Sequence, residues 1–148
     1  LPIPARSGGL ERLFLEWADR DWRVEALVKI HEYKHSFLQQ RYLKADGMPG
    51  MYSPDFLVRT ADAVFVVETK SQTGLINENV QRKQRAAVAW CDKLNALPPD
   101  ARGGLEWHYV LVGEAAVRDW HSRNERASDL LAHARLRPTS STPEQLSL

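Results

Sequence analysis

Residues 51–72 read MYSPDFLVRTADAVFVVETKSQ, and their interpretation decides the fold. Ala63, Val64, Phe65, Val66 and Val67 form an unbroken apolar run of the kind that fills the middle of a sheet covered on both faces. The run nevertheless ends in Glu68, Thr69 and Lys70, and Asp55 interrupts another apolar stretch directly after Pro54. Residues two apart in a strand share a face, so Glu68 and Lys70 project together while Thr69 projects the other way. A strand over 52–60 paired beside this one would lie about 4.8 Å away, close enough for Asp55 and Glu68 to share one small ion.

Two carboxylates with an amine beside them suit one chemistry in particular. Mg²⁺ takes oxygen ligands, commonly one or two carboxylates with water and substrate phosphate completing the shell. Such an ion polarises a phosphoryl oxygen and acidifies water, and Lys70 is placed to orient the attacking water and to meet developing negative charge. The plainer reading of a lone Glu-x-Lys is a strand-end ion pair, with Asp55 in a turn. An exposed pair of that kind adds only about 0–1 kcal/mol and needs no function to be tolerated. The joint pattern weighs against it: Pro-Asp, an apolar strand, a tight turn at Thr60-Ala61-Asp62, a second apolar strand, then Glu-x-Lys.

At 148 residues the chain is one domain's worth, long enough to bury a core without disulfide or metal staples. The expected division is a folded domain over 1–137 and a flexible, Pro/Ser/Thr-rich tail over 138–148. A net charge of +1 means that affinity for nucleic acid would have to come from a local patch. Cys91 is the single cysteine, so no internal disulfide forms. With no charged-then-apolar signal segment and no run near the ~20 apolar residues that span a bilayer, a soluble, cytoplasmic protein with no membrane partner is expected. These residues contain no GxxxxGK[ST] loop, which excludes a nucleotide-driven motor within them.

Outward from the central stretch, Leu10, Leu13, Phe14 and Trp17 recur at helical spacing, with Ser7 as cap, and predict a helix over 8–19. Val24, Leu27, Val28 and His31 predict a second, short helix. Residues 37–44 and 52–60, separated by the turn signals Asp46-Gly47 and Pro49-Gly50, predict a hairpin, so that three consecutive antiparallel strands are expected. Val80, Ala87, Trp90, Cys91 and Leu94 give residues 77–97 a helical face. A strand over 107–112 and one charged helix over 115–135 complete the α/β reading.

Pro54-Asp55, the 12 residues that follow, and Glu68-Thr69-Lys70 resemble the PD-(D/E)xK nuclease signature. The surrounding text, LERLF, YSPDF, VVETKSQ and NVQRKQRAAVAWC, resembles the C-terminal endonuclease domain of type III restriction enzymes, the part that follows the helicase motor; the likeness covers roughly residues 10–90. It implies a restriction-endonuclease-like αβββαβ core with a mixed central sheet flanked by helices, and Mg²⁺-dependent cleavage of DNA phosphodiesters, with Mn²⁺ as a substitute. It implies Asp55 and Glu68 as metal ligands, the Thr69 carbonyl as a third, and Lys70 near the nucleophilic water. It also implies an upstream helicase domain and a modification (methyltransferase) subunit as partners besides DNA. The family often has Gly after the Lys, where Ser71 stands here.

The same resemblance points to two further residues. Nucleases of this kind often carry an acidic residue on the first helix, a place for which Glu11 and Glu16 compete; Glu11 flanks the apolar face. A Lys or Gln on the helix after the Glu-x-Lys strand often faces the site, and Lys83 has Gln81 and Gln84 as rivals. His31 and His35 stand four apart, a metal-compatible step in a helix, but without a third ligand they read as one core and one surface histidine. Trp90 and Cys91 read as core. The rival functions are a non-catalytic nucleic-acid-binding or assembly module and a freestanding repair or recombination nuclease.

Overall fold

Four strands make the central sheet in the computed structural model, which describes residues 5–30, 40–44, 46–71 and 78–136. They are β1 (Ala26–Lys29), β4 (Phe56–Arg59), β5 (Ala63–Lys70) and β6 (Glu106–Gly113), in the order β1-β4-β5-β6. Pairing is antiparallel from β1 to β4 and from β4 to β5, and parallel from β5 to β6. A parallel pair needs a crossover, which helix α2 (Glu78–Asn95) supplies. Strands β2 (Gln40–Leu43) and β3 (Pro49–Tyr52) form a separate two-stranded ribbon. Helix α1 (Ala5–Asp19) precedes the sheet, while α3 (Glu114–Ser122) and α4 (Ala127–Leu136) follow it. With the ribbon set aside, the chain runs αβββαβ and then adds two helices. Among the described residues no helix is long and apolar enough to cross a membrane.

The apolar run of β5 is buried on both faces, as an interior strand requires. Ala63, Phe65 and Val67 join Phe56, Val58, Val110 and Val112 in one core, closed by Phe14 and Trp17 of α1, Val117 of α3, and Leu130 and Leu131 of α4. The Phe14 and Phe56 rings meet at 5.1 Å, which fixes α1 against β4 directly beside Asp55. Trp17 reaches further and donates its indole N–H to the Glu125 carbonyl at 2.9 Å, tying α1 to the α3–α4 turn. Val64 and Val66 alternate to the other face, where α2 packs on β6 and buries Ala87 and Cys91. Burial pushes the Cys91 thiol up to about 12, in keeping with a packing role rather than a nucleophile.

Three elements depart from the sequence expectations. The segment expected as a second short helix contains β1 instead, because Ala26–Lys29 completes the free edge of β4 through a four-residue ladder. The strand expected over 52–60 is two: β3 ends at Tyr52, and β4 begins at Phe56. Pro54 has no N–H to give a ladder and breaks the extended run, so β2 pairs with β3 in the ribbon and not with β4. The helix expected over 115–135 is broken at Asn124, whose φ of 61° is a left-handed conformation that asparagine tolerates and a helix interior does not. His31, His35 and the 138–148 tail lie outside the described residues.

Asp21, 6 % exposed, links the sheet entrance to the last helix. Its carboxylate accepts the Arg23 N–H at 2.9 Å and the Ser128 N–H at 2.8 Å, the latter an otherwise orphaned donor in the first turn of α4. Burial alone would raise its pKa, but hydrogen bonding by Ser128 and Arg23, with the Arg126 charge nearby, holds it below the usual carboxylate range. Asp21→Ala is expected to lower unfolding stability by about 1–2 kcal/mol at neutral pH, measured by urea titration, with no change in the slope of the transition.

Candidate active site

The regular β4–β5 ladder ends at Phe56↔Val67, and Asp55 lies at its mouth. The Asp55 N–H donates back to the Val67 carbonyl at 3.0 Å, and its carbonyl accepts the Ile30 N–H at 2.9 Å, so the residue is anchored to β5 on one side and to the end of β1 on the other. Its side chain then replaces the missing backbone acceptor of the ladder. Oδ2 accepts the Thr69 N–H at 2.8 Å and the Thr69 hydroxyl at 3.0 Å. Oδ1 accepts no hydrogen bond from the described residues.

Within one residue of a strand the N–H and C=O point to the same side. Since the Thr69 N–H meets Asp55, its carbonyl opens toward the same gap. Glu68 and Thr69 are each 7 % exposed, and Lys70 is half-buried. The Lys70 Nζ stands 3.3 Å from Glu68 Oε2, so the side chains that alternation predicts on one face do meet.

Helix α1 supplies the next carboxylate. Glu11 Oε1 accepts a charge-assisted bond of 2.6 Å from Lys29 Nζ at the end of β1. Glu16, the competing acid, turns away to Arg12 at 3.1 Å and is exposed. The Asp55 carboxyl is held above its ordinary range chiefly by burial; the Thr69 N–H opposes the shift, the Glu11 charge adds to it, and the Thr69 hydroxyl and Lys29 oppose it again. Glu11 and Lys29 thus share the electrostatic surroundings of Asp55, which Glu16 does not.

Of the expected residues, the structure gathers Asp55, Glu68, Thr69, Lys70 and Glu11 at one end of the sheet. Lys83 is half-buried on α2, Gln84 is buried on the same helix, and Gln81 is exposed. Lys29 is the member that the sequence reading missed. Had residues 26–29 been read as an edge strand beside the Pro-Asp segment, its last residue would have been placed here.

Asp55, Glu68 and the Thr69 carbonyl are a donor set made only of hard oxygen atoms, suited to Mg²⁺ or Mn²⁺ and not to a soft ion. Among the described residues no group of three or more His, Cys, Asp or Glu side chains converges to hold a metal. Any ion held here would have two carboxylates and a carbonyl as its protein ligands and would need water or substrate oxygen to complete its shell. The gathered residues lie at one end of the central strands. A cavity of about 500 Å³ lies instead beside the β4–β5 turn, lined by Trp22, Thr60 and Asp62 among others, and none of the gathered residues lines it. Comparison with family models, with curated proteins and with solved structures finds no match.

Proposed function

We propose that this chain is a divalent-metal-dependent endonuclease that hydrolyses DNA phosphodiesters, built on a restriction-endonuclease-like αβββαβ core with β2–β3 as an inserted ribbon. The cleavage domain of a type III restriction enzyme is the context that the sequence resemblance favours, with an upstream helicase and a methyltransferase subunit as partners. One observation carries the reading: Asp55, broken out of its strand by Pro54, is bonded through Oδ2 to Thr69 in the middle of Glu-Thr-Lys. That contact brings the Pro-Asp and Glu-x-Lys halves of the motif together in space.

Asp55 Oδ1, Glu68 and the Thr69 carbonyl are the atoms that would hold Mg²⁺ or Mn²⁺. Such an ion would supply Lewis acidity toward a phosphoryl oxygen. The remaining work belongs to the chain. Glu68 steadies the Lys70 ammonium at 3.3 Å, and Lys70 orients the attacking water and offsets charge on the phosphate as the water oxygen bonds to phosphorus, the bridging ester bond breaks, and the water's proton passes through solvent to the departing oxygen. Contacts to phosphate are blind to sequence, which leaves recognition to another domain or subunit.

The test is a supercoiled-plasmid assay with Mg²⁺ or Mn²⁺. Open-circular and linear products are expected with the parent protein and are expected to vanish with EDTA and in Glu68→Ala. Product formation that is indifferent to both would sink the proposal.

A further inference from the structure

Lys29 has no role in the chemistry described above, yet its ammonium bonds the Glu11 carboxylate at 2.6 Å and its charge acts on Asp55. We propose that Lys29 is the resident counter-cation of the metal-free centre: its ammonium holds Glu11 beside Asp55, and its positive charge opposes the binding of a divalent ion at Asp55. This inference rests on the reading of Asp55 and Glu68 as metal ligands.

The geometry supports it from three directions. Lys29 is the last residue of β1, and the next N–H in the chain, that of Ile30, donates to the Asp55 carbonyl at 2.9 Å, so the lysine is fastened beside Asp55 by the backbone itself. Its ammonium stands over the ring of Phe56, the residue after Asp55, with Nζ 5.1 Å from the ring centroid. Its tip meets Glu11 at 2.6 Å. The site thus has an internal positive charge in place while two carboxylates on different elements would otherwise repel one another.

The arrangement is also one that can be released. The Lys29 and Glu11 side chains are 37 % and 33 % exposed, so water competes for both partners and the pair is weakly held. A lysine ammonium on a flexible four-carbon stem can leave without moving the strand that carries it. A divalent ion at Asp55 brings twice the charge of the ammonium to the neighbourhood of Glu11, so Glu11 can exchange the one cation for the other. Lys29 is in this account a positioning residue: it touches neither substrate nor reacting atoms, and it sets the metal concentration at which the centre fills.

Titration calorimetry with Mn²⁺ alone, at about pH 8 so that carboxylates are ionised, separates the possibilities. Lys29→Met keeps an unbranched apolar stem and removes the competing charge, and it is expected to bind Mn²⁺ about five- to tenfold more tightly than the parent. Lys29→Arg keeps the charge and is expected to stay within about twofold of the parent. Should Lys29→Met fold poorly by circular dichroism, Lys29→Gln carries the same expectation. Binding by Lys29→Met and Lys29→Gln no tighter than by a parent whose own binding is abolished in Asp55→Asn overturns this inference and leaves the metal reading standing. Absence of Mn²⁺ binding in the parent and in every Lys29 variant overturns both.

Discussion

Asp55→Asn is expected to abolish plasmid nicking, by on the order of 10³-fold or more, and at the same time to make the metal-free protein more heat-stable. The first effect follows because an amide cannot supply the negative oxygen that a divalent ion needs. The second follows from what the carboxylate costs the fold. Burial raises the Asp55 pKa, and although the Thr69 N–H and hydroxyl and Lys29 oppose the shift, burial and the Glu11 charge outweigh them. A folded-state pKa above the unfolded value means that the native state holds the proton more tightly than the open chain does. The stability associated with it is present below the ordinary value of 3.8 and is lost as pH rises through the raised folded value. Above the ordinary carboxylate range the fold therefore works against ionisation of the Asp55 carboxyl.

Asparagine removes that charge and keeps the one contact that holds the strands together. Its carbonyl oxygen can stand where Oδ2 accepts from Thr69, and its NH₂ can stand where Oδ1 accepts nothing from the described residues. A rise in Tm of about 2–4 °C in EDTA is expected, read by differential scanning fluorimetry and growing with pH above the ordinary carboxylate range. Adding Mg²⁺ should raise the Tm of the parent and leave that of Asp55→Asn unmoved. A variant that is inactive and also less stable at every pH would mean that Asp55 serves only as a structural bracket.

How far such a site is legible in sequence depends on what fixes each residue. The heart of the sheet was legible because the Ala63–Lys70 run is too apolar to lie anywhere but inside, and the charges at its end then demand an explanation. The α2 stripe was legible for the same reason, since helical period and burial agree at Ala87 and Cys91. β1 was not: four residues, ALVK, carry too little pattern, and what makes them a strand is the free edge of β4, a fact of tertiary structure. Nor was the break between α3 and α4, where Asn124 alone, with no Gly or Pro, reverses the backbone.

The site divides in the same way. That Asp55, Glu68 and Lys70 come to one end of the sheet was readable because their spacing is a property of two adjacent strands. The choice between Glu11 and Glu16 could not be made on a helical wheel, because both flank the apolar face of α1. A partner on another element decides it. Lys29 draws Glu11 inward, while Arg12, one turn away on the same helix, occupies Glu16. The error at β1 and the omission of Lys29 are thus one event: reading residues 24–31 as a helix removed from the site the side chain that selects its third acid.

Lys70→Met provides the complementary test, because it is expected to separate catalysis from metal binding. Methionine matches the length of the lysine stem and removes only the ammonium. Nicking is expected to fall by on the order of 10²-fold, the usual consequence of deleting one preorganised charge from a phosphoryl-transfer site. The Lys70 ammonium stands 3.3 Å from Glu68 Oε2, and the Glu68 side chain is only 9 % exposed, so removing the cation also withdraws a compensating charge from a buried carboxylate. In EDTA the variant is therefore expected to melt below the parent. Mn²⁺ should restore the difference, since a divalent ion on Asp55 and Glu68 supplies more positive charge than the lost ammonium did, and calorimetry should find Mn²⁺ bound at least as tightly as by the parent. That combination, a cleavage defect with intact metal affinity and metal-rescued stability, is the reverse of the one expected for Asp55→Asn. If Lys70→Met instead nicks plasmid at the parent's rate, the lysine is no more than the partner of Glu68 in a strand-end ion pair, and the assignment of its role in hydrolysis is wrong.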